Sequence, residues 1–591
     1  MDDRIVRLES TVERLQSDLL ALRQRLDMLE AKRLSGTTGH ADALADEPAE
    51  TRPQVAPTGP ATRGWRDPFV VVSLIGRLVL VLAGGFFLRG MTDTGVLDQP
   101  VGVAMGFAYG LVWLFLTDRA GERGQVPSAV FHAMAAAMVA FPLLLEATTK
   151  FKVLPGATGA LAIAVLTAGL LAVAWRRRLH AVAWVTVVVA LPTSIVMLAQ
   201  TGVVVPFAFY LIAFGVATLW MGYSLDWRAI RWPVALAADM VVIGVTLRAL
   251  APEHLDAPNV AMLVQLSLLS AYVISIAIRT LVRGRNVIPF EVVQTTAALI
   301  VGFGGAVSVT RATGAHPTTL GIASLVIGAA CYGVAFAFID PREDRGRNVY
   351  FYTTLALVQV LTGFTLVLGG HWLGAVFGAL AVLAALLWFR VGRLFMLLHG
   401  AAYIVAAAVV SDTLSYCSWA LAAGAVGPWT LPDAVMLVVL VAGAWSVGFA
   451  AAQPKLDGSV FASGPRFVII LVFVWTAGGC VIGYLAPVVA GLADRSVDLG
   501  VLATLRTGVL AVATLVIAWI GRHARFREWG WLVYPLLVGI GLKMVAQDFP
   551  RSRPVTLFIA LALYGTALIV APRLRRGGDS PPPAKPATAE K

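Results

Sequence analysis

From Phe69 to Ala571 the chain repeats one pattern: an apolar run of about 20 residues, a short polar loop, another run. The runs show no period-2 alternation. Unbroken apolar stretches of that length predict helices that cross roughly 30 Å of hydrocarbon. The length rule places about 18 spans, near 69–88, 100–116, 127–147, 155–175, 180–199, 203–224, 232–250, 258–278, 288–309, 317–339, 350–369, 371–389, 394–411, 432–452, 466–486, 500–521, 529–546 and 555–571. Leu414–Gly427 is apolar but short, and reads as a re-entrant or interfacial segment. The expected fold is all-α: a polytopic membrane domain over 67–572.

The first 34 residues follow a different period. Ile5, Val12, Leu19 and Leu26 fall on heptad position a, and Leu8, Leu15, Leu22 and Leu29 on d. That 3-4 spacing predicts a coiled-coil helix. Its flanking charges match for a parallel pair, Arg4 with Glu9, Asp18 with Arg23 and Arg25 with Glu30, so self-association through 1–34 is expected. Residues 35–66 carry Pro48, Pro53, Pro57 and Pro60 among Ala, Thr and acidic residues, the composition of a disordered linker. The Pro-rich tail over 573–591 reads the same way.

Composition supports the membrane reading, with 58% hydrophobic residues and a mean hydropathy of +0.79. The net charge of +12 does not point to nucleic acid, because the arginines sit in the inter-span loops. With the N-terminus in the cytoplasm, alternate loops collect Arg119, Arg123, Arg176 to Arg178, Arg279, Arg283, Arg522, Arg525 and their like, about three to one over the opposite loops. The bias keeps its phase only if Leu414–Gly427 does not cross. Both termini are therefore expected in the cytoplasm, and the abundance of Arg over Lys suggests a GC-rich bacterial genome.

Intramembrane charge is the default functional signal. Arg77 and Asp239 lie deepest, at matching depth in spans entering from one side, and are expected to pair. Glu291 stands near a span start, where a water-facing or helix-start role fits. Glu146, Arg506 and Lys543 lie toward the other side; Lys543 is expected to snorkel, and Arg506 could snorkel or meet an anion or a headgroup. Gly102, Gly106 and Gly110 form a small-residue ridge for close helix packing. His132, His316, His371 and His399 lack metal-ligand spacing, and Cys331, Cys417 and Cys480 are scattered. Neither a metal nor a cofactor is expected. Gln265, Gln294 and Gln359 read as interhelical hydrogen-bond donors. Gly284-Arg285-Asn286-Val287 and Gly346-Arg347-Asn348-Val349 hint at a repeated hairpin.

The coiled-coil start, the Pro/Ala linker, the span ending Ala83-Gly84-Gly85-Phe86-Phe87-Leu88-Arg89, the loop Thr94-Gly95-Val96-Leu97 before Pro100 and the Gly-ridged second span resemble a family of large bacterial membrane proteins catalogued as domain of unknown function 2339. The resemblance implies an integral inner-membrane protein and supplies no reaction. No P-loop, G-x-S-x-G or H-E-x-x-H is present. Asp93 and Asp98 sit in the first outer loop, as acidic residues do in lipid-linked sugar transferases, but that loop is too short for a catalytic domain. Three classes remain: a transport- or envelope-related membrane protein, a scaffold clustering partners through 1–34, and a transferase. Membrane lipids are the expected partners; the substrate is left open.

Overall fold

The computed structural model describes residues 68–251, 258–339, 346–422, 430–452, 460–492 and 498–576. The coiled-coil positions from Ile5 to Leu29, the linker and the last 15 residues lie outside them. Two compact units divide the chain, Met1–Val71 and Val72–Lys591, and everything below concerns the second.

Among the described residues there are helices and no strand. The first half holds α1 (Pro68–Asp93), α2 (Gln99–Glu122), α3 (Val126–Thr149), α4 (Gly156–Arg177), α5 (His180–Thr201), α6 (Val204–Leu225), α7 (Arg231–Leu250), α8 (Pro258–Val282) and α9 (Pro289–Ala312). There follow α10 (Thr318–Ala337), α11 (Gly346–Val367), α12 (Leu373–Val391), α13 (Leu394–Val410), α14 (Thr413–Ala422) and α15 (Ala434–Ala451). The chain closes with α16 (Val460–Leu492), α17 (Leu499–Gly521), α18 (Phe526–Arg551) and α19 (Pro554–Arg576). Sixteen are long and apolar enough to cross a membrane. The other two expected spans fall on α1 and α13.

These helices are apolar all round, as membrane spans are and amphipathic surface helices are not. In α4, Ile163 and Leu170 are fully buried while Leu161 and Val165 on the opposite face are about two-thirds exposed. Where helices meet, small residues set the spacing. On α3, Ala129, Ala133, Ala136, Ala137 and Ala140 are buried against neighbours. The ridge on α2 serves two partners. A Cβ at Gly102 would stand 2.0 Å from the Thr92 hydroxyl of α1, whereas one at Gly106 would stand 2.5 Å from Leu143, and one at Gly110 3.0 Å from Ala140, both on α3.

Ion pairs stitch helix ends: Arg89 to Glu146 at 2.8 Å, Arg177 to Asp118 at 2.7 Å, Arg279 to Glu291 at 2.8 Å, Arg466 to Glu528 at 3.5 Å and Arg553 to Asp498 at 3.2 Å. Each joins residues that strict alternation of spans puts on one face.

The short helix α14 is bent from α13 by 72°. His371, before α12, contacts Asp433, before α15, and the Trp388 indole N–H, near the end of α12, donates to the Ala450 carbonyl, near the end of α15, at 3.3 Å. Starts meet and ends meet, so α12 and α15 run the same way. The chain between them therefore traverses the helical layer once. That traverse is made within α13 and α14, which meet at a 72° bend.

The two Gly-Arg-Asn-Val tetrapeptides do not mark a repeated hairpin. Gly284 has φ +64° in a loop, while Gly346 opens α11. The second copy clasps the first: Asn348 accepts from the Val287 N–H at 2.7 Å and donates to the Arg285 carbonyl at 3.0 Å.

Candidate functional site

The polar cluster that matters most lies where α14 ends among α17 and α18. The segment Cys417 to Ala422 packs this close because α16 offers it a seat without side chains. A Cβ at Gly479 would come 2.5 Å from the Cys417 Cα, and one at Gly483 would come 2.1 Å from the Tyr416 hydroxyl. Glycine is what lets the two helices touch backbone to backbone.

The last turn of a helix leaves carbonyls without intrahelical partners and carries the negative end of its dipole. Two side chains answer this at α14. Arg506 Nε donates to the Ala420 carbonyl at 2.7 Å, and Gln547 Nε2 to the Ala422 carbonyl at 2.6 Å. Arg506 is almost wholly buried. Its position, seven residues into α17, is roughly 10 Å from the helix start at 1.5 Å per residue. Here the Arg506 guanidinium meets a helix carbonyl in place of snorkelling.

One residue further on, Thr507 belongs to a closed ring. Lys543 Nζ donates to the Ala503 carbonyl and the Thr507 hydroxyl, both at 2.5 Å, and to both Asp548 oxygens at 2.9 Å. The Thr507 hydroxyl donates onward to Asp548 Oδ2 at 2.9 Å. Three ammonium hydrogens thus meet three acceptor groups. The Lys543 side chain is 8% exposed and that of Asp548 fully buried. Lys543 therefore does not snorkel; a buried carboxylate and two oxygens of α17 hold it inside.

Asp239 forms a second, simpler site. It is buried and accepts from Gln294 Nε2 at 3.0 and 3.2 Å. No cation among the described residues lies within ion-pair distance of it. The side chain of Arg77, its expected partner, lies outside the described residues. The Tyr272 hydroxyl is buried nearby with no hydrogen bond among the described residues, pressed against Gly215, where a Cβ would fall 2.2 Å away.

Glu291 faces protein and not water. Fully buried, it accepts from Arg279, from the Tyr223 hydroxyl at 2.7 Å and from the Ile288 N–H at 2.8 Å. The last contact caps the start of α9, so this residue organises a helix start. His399 joins Tyr332 and Tyr403 in a buried aromatic cluster, while His371 holds Asp433. Gln265 donates to Thr246 at 2.7 Å.

Sequence reasoning missed Asp548, Thr507 and Gln547. Asp548 lies just past the apolar run that ends near 546, and a carboxylate there reads as loop. The available signal was its spacing of five residues from a lysine buried in a span.

Compared with known proteins, the chain matches no family model, no curated sequence and no solved structure.

Proposed function

We propose that this is a transport protein of the bacterial inner membrane, with eighteen crossings and both termini in the cytoplasm, moving a small solute or a lipid. The observation that carries this reading is the Lys543–Asp548 ring set against the end of the broken helix α14. Transporters place cation and proton sites at discontinuous helices, where side chains and unwound carbonyls converge in the layer. Here a carbonyl, a hydroxyl and a carboxylate surround one ammonium, an all-oxygen cage of the kind that holds a monovalent cation. The resemblance to the family of unknown function supports an integral inner-membrane protein and is silent on cargo.

A scaffold clustering partners through residues 1–34 is the second reading. It is favoured by the buried charges of α8, α9, α16 and α18 being paired off with one another.

Thiol access separates the two. Gln547→Cys is placed in a chain whose Cys331, Cys417 and Cys480 are replaced by Ala, and membrane-impermeant reagents are applied from each side of sealed vesicles. Transport requires labelling from at least one side at a rate that shifts with proton or sodium gradients. A position 547 closed to both sides, together with loss of function on deleting residues 1–34 alone, would establish the scaffold instead.

A further inference from the structure

We propose that Asp239 is a proton-binding site inside the helical layer, taking up and releasing one proton on its carboxyl group. Four carboxylates are buried among the described residues: Asp239, Glu291, Glu528 and Asp548. Three of them hold a cation, Arg279 on Glu291, Arg466 on Glu528 and Lys543 on Asp548. Asp239 holds none among the described residues, and the Gln294 amide is its one donor there. It stands eight residues past the start of α7, roughly 12 Å along the helix. An isolated charge at that depth is costly, and a bound proton removes it.

The ligand is a proton and not a metal ion. Gln294 turns N–H groups toward the carboxylate, where a sodium ion would need oxygens. The ionisable groups of the helices packed on α7 are engaged elsewhere. From α6, Tyr210 bonds Thr167 and Tyr223 bonds Glu291. From α8 and α9, Arg279 and Glu291 hold each other, and Arg311 is exposed at the far end of α9. From α5, His180 accepts from the Trp184 indole. On α7 itself Arg231 lies over the Phe290 ring, and Arg248 donates to the Gly202 carbonyl. That leaves Tyr272 of α8, close to Asp239 and with its buried hydroxyl unpartnered among the described residues. Seven residues deeper on each helix, on the same faces and about 10 Å further in, stand Thr246 and Gln265. Gln265 donates to Thr246, and its Oε1 atom has no partner among the described residues. Buried polar groups with bonds to spare therefore continue from Asp239 along the seam of α7 and α8, and a proton leaving the carboxyl group meets these first.

The test uses the full chain in sealed lipid vesicles treated with N,N′-dicyclohexylcarbodiimide. This apolar reagent adds to a protonated carboxyl group and rearranges to a stable N-acylurea, which digestion and mass spectrometry locate. The expected result is an adduct on Asp239 and none on Glu291 or Asp548, whose cations keep them ionised. Its rate of formation should fall about tenfold per pH unit once the medium is alkaline enough to empty the site. Asp239→Asn removes the adduct. Arg77→Ala leaves the rate on Asp239 unchanged, as does sodium chloride in place of choline chloride. An Asp239 that reacts only in Arg77→Ala is an ion-paired carboxylate, and one that sodium protects is a metal-ion site. One that reacts equally at every pH, or at none, exchanges no proton. Each of these results would overturn the assignment. The adduct forms without cargo, so the outcome is independent of thiol access at position 547, which tests transport.

Discussion

Lys543 and Asp548 are five residues apart on one helix, yet their charged groups meet at 2.9 Å. On a regular α-helix five residues turn the side chains roughly 140° away from each other. The contact forms because Met544–Asp548 is a π turn, whose wider coil returns residue i+5 to the face of residue i. The local irregularity is thus what creates the ion pair.

Removing one partner strands the other in an apolar layer. Lys543→Met or Asp548→Asn should each cost about 3–5 kcal/mol of stability, and the double variant less than either single. Thermal unfolding of the three variants in one detergent checks this. Additive losses would mean that the two groups act independently.

Lys543→Ala leaves the Ala503 carbonyl, the Thr507 hydroxyl and the Asp548 carboxylate around an ammonium-sized gap. The variant should gain stability with rising sodium chloride and not with choline chloride, following mass action on a new cation site. The unaltered chain should show no such difference.

The seat of α14 gives a prediction with an internal control. Gly479→Ala forces a methyl group onto the backbone of Cys417 and should destabilise by about 1–3 kcal/mol through overpacking. A Cβ at Gly448 would meet nothing within 4 Å, so Gly448→Ala should be neutral or slightly stabilising.

The adjacency of the starts of α12 and α15 is open to direct chemical capture. His371→Cys with Asp433→Cys, in a chain otherwise free of cysteine, should form a disulfide under mild oxidation, read as altered mobility on a non-reducing gel. Reporter fusions after Lys455 and Arg576 should both indicate cytoplasm. A periplasmic signal at either position would break the alternation.

The spans were legible because an apolar run long enough to cross a bilayer has few other folds open to it. Each expected span coincides with a helix, with ends that differ by up to about six residues. Polar partners were illegible for the opposite reason. Asp239 and Gln294 are 55 residues apart, and only packing of α7 on α9 joins them. Arg506 read as a snorkelling cation or an anion site because nothing in the run around Leu414 announces carbonyls offered to a residue of α17. Likewise the paired tetrapeptides suggested symmetry, whereas one copy is a loop and the other a helix start that holds it.

That interior helix end bears on the order in which the protein is made. The carbonyls of Ala420 and Ala422 take their donors from Arg506 and Gln547, 86 and 125 residues later in the chain. Synthesis delivers α14 first and its donors last. In an apolar surrounding each unmet carbonyl is worth several kcal/mol. A nascent chain halted after α16 therefore lacks both of these donors, and arrival of α17 and α18 supplies them. The C-terminal helices α17 and α18 act as the clasp on α14.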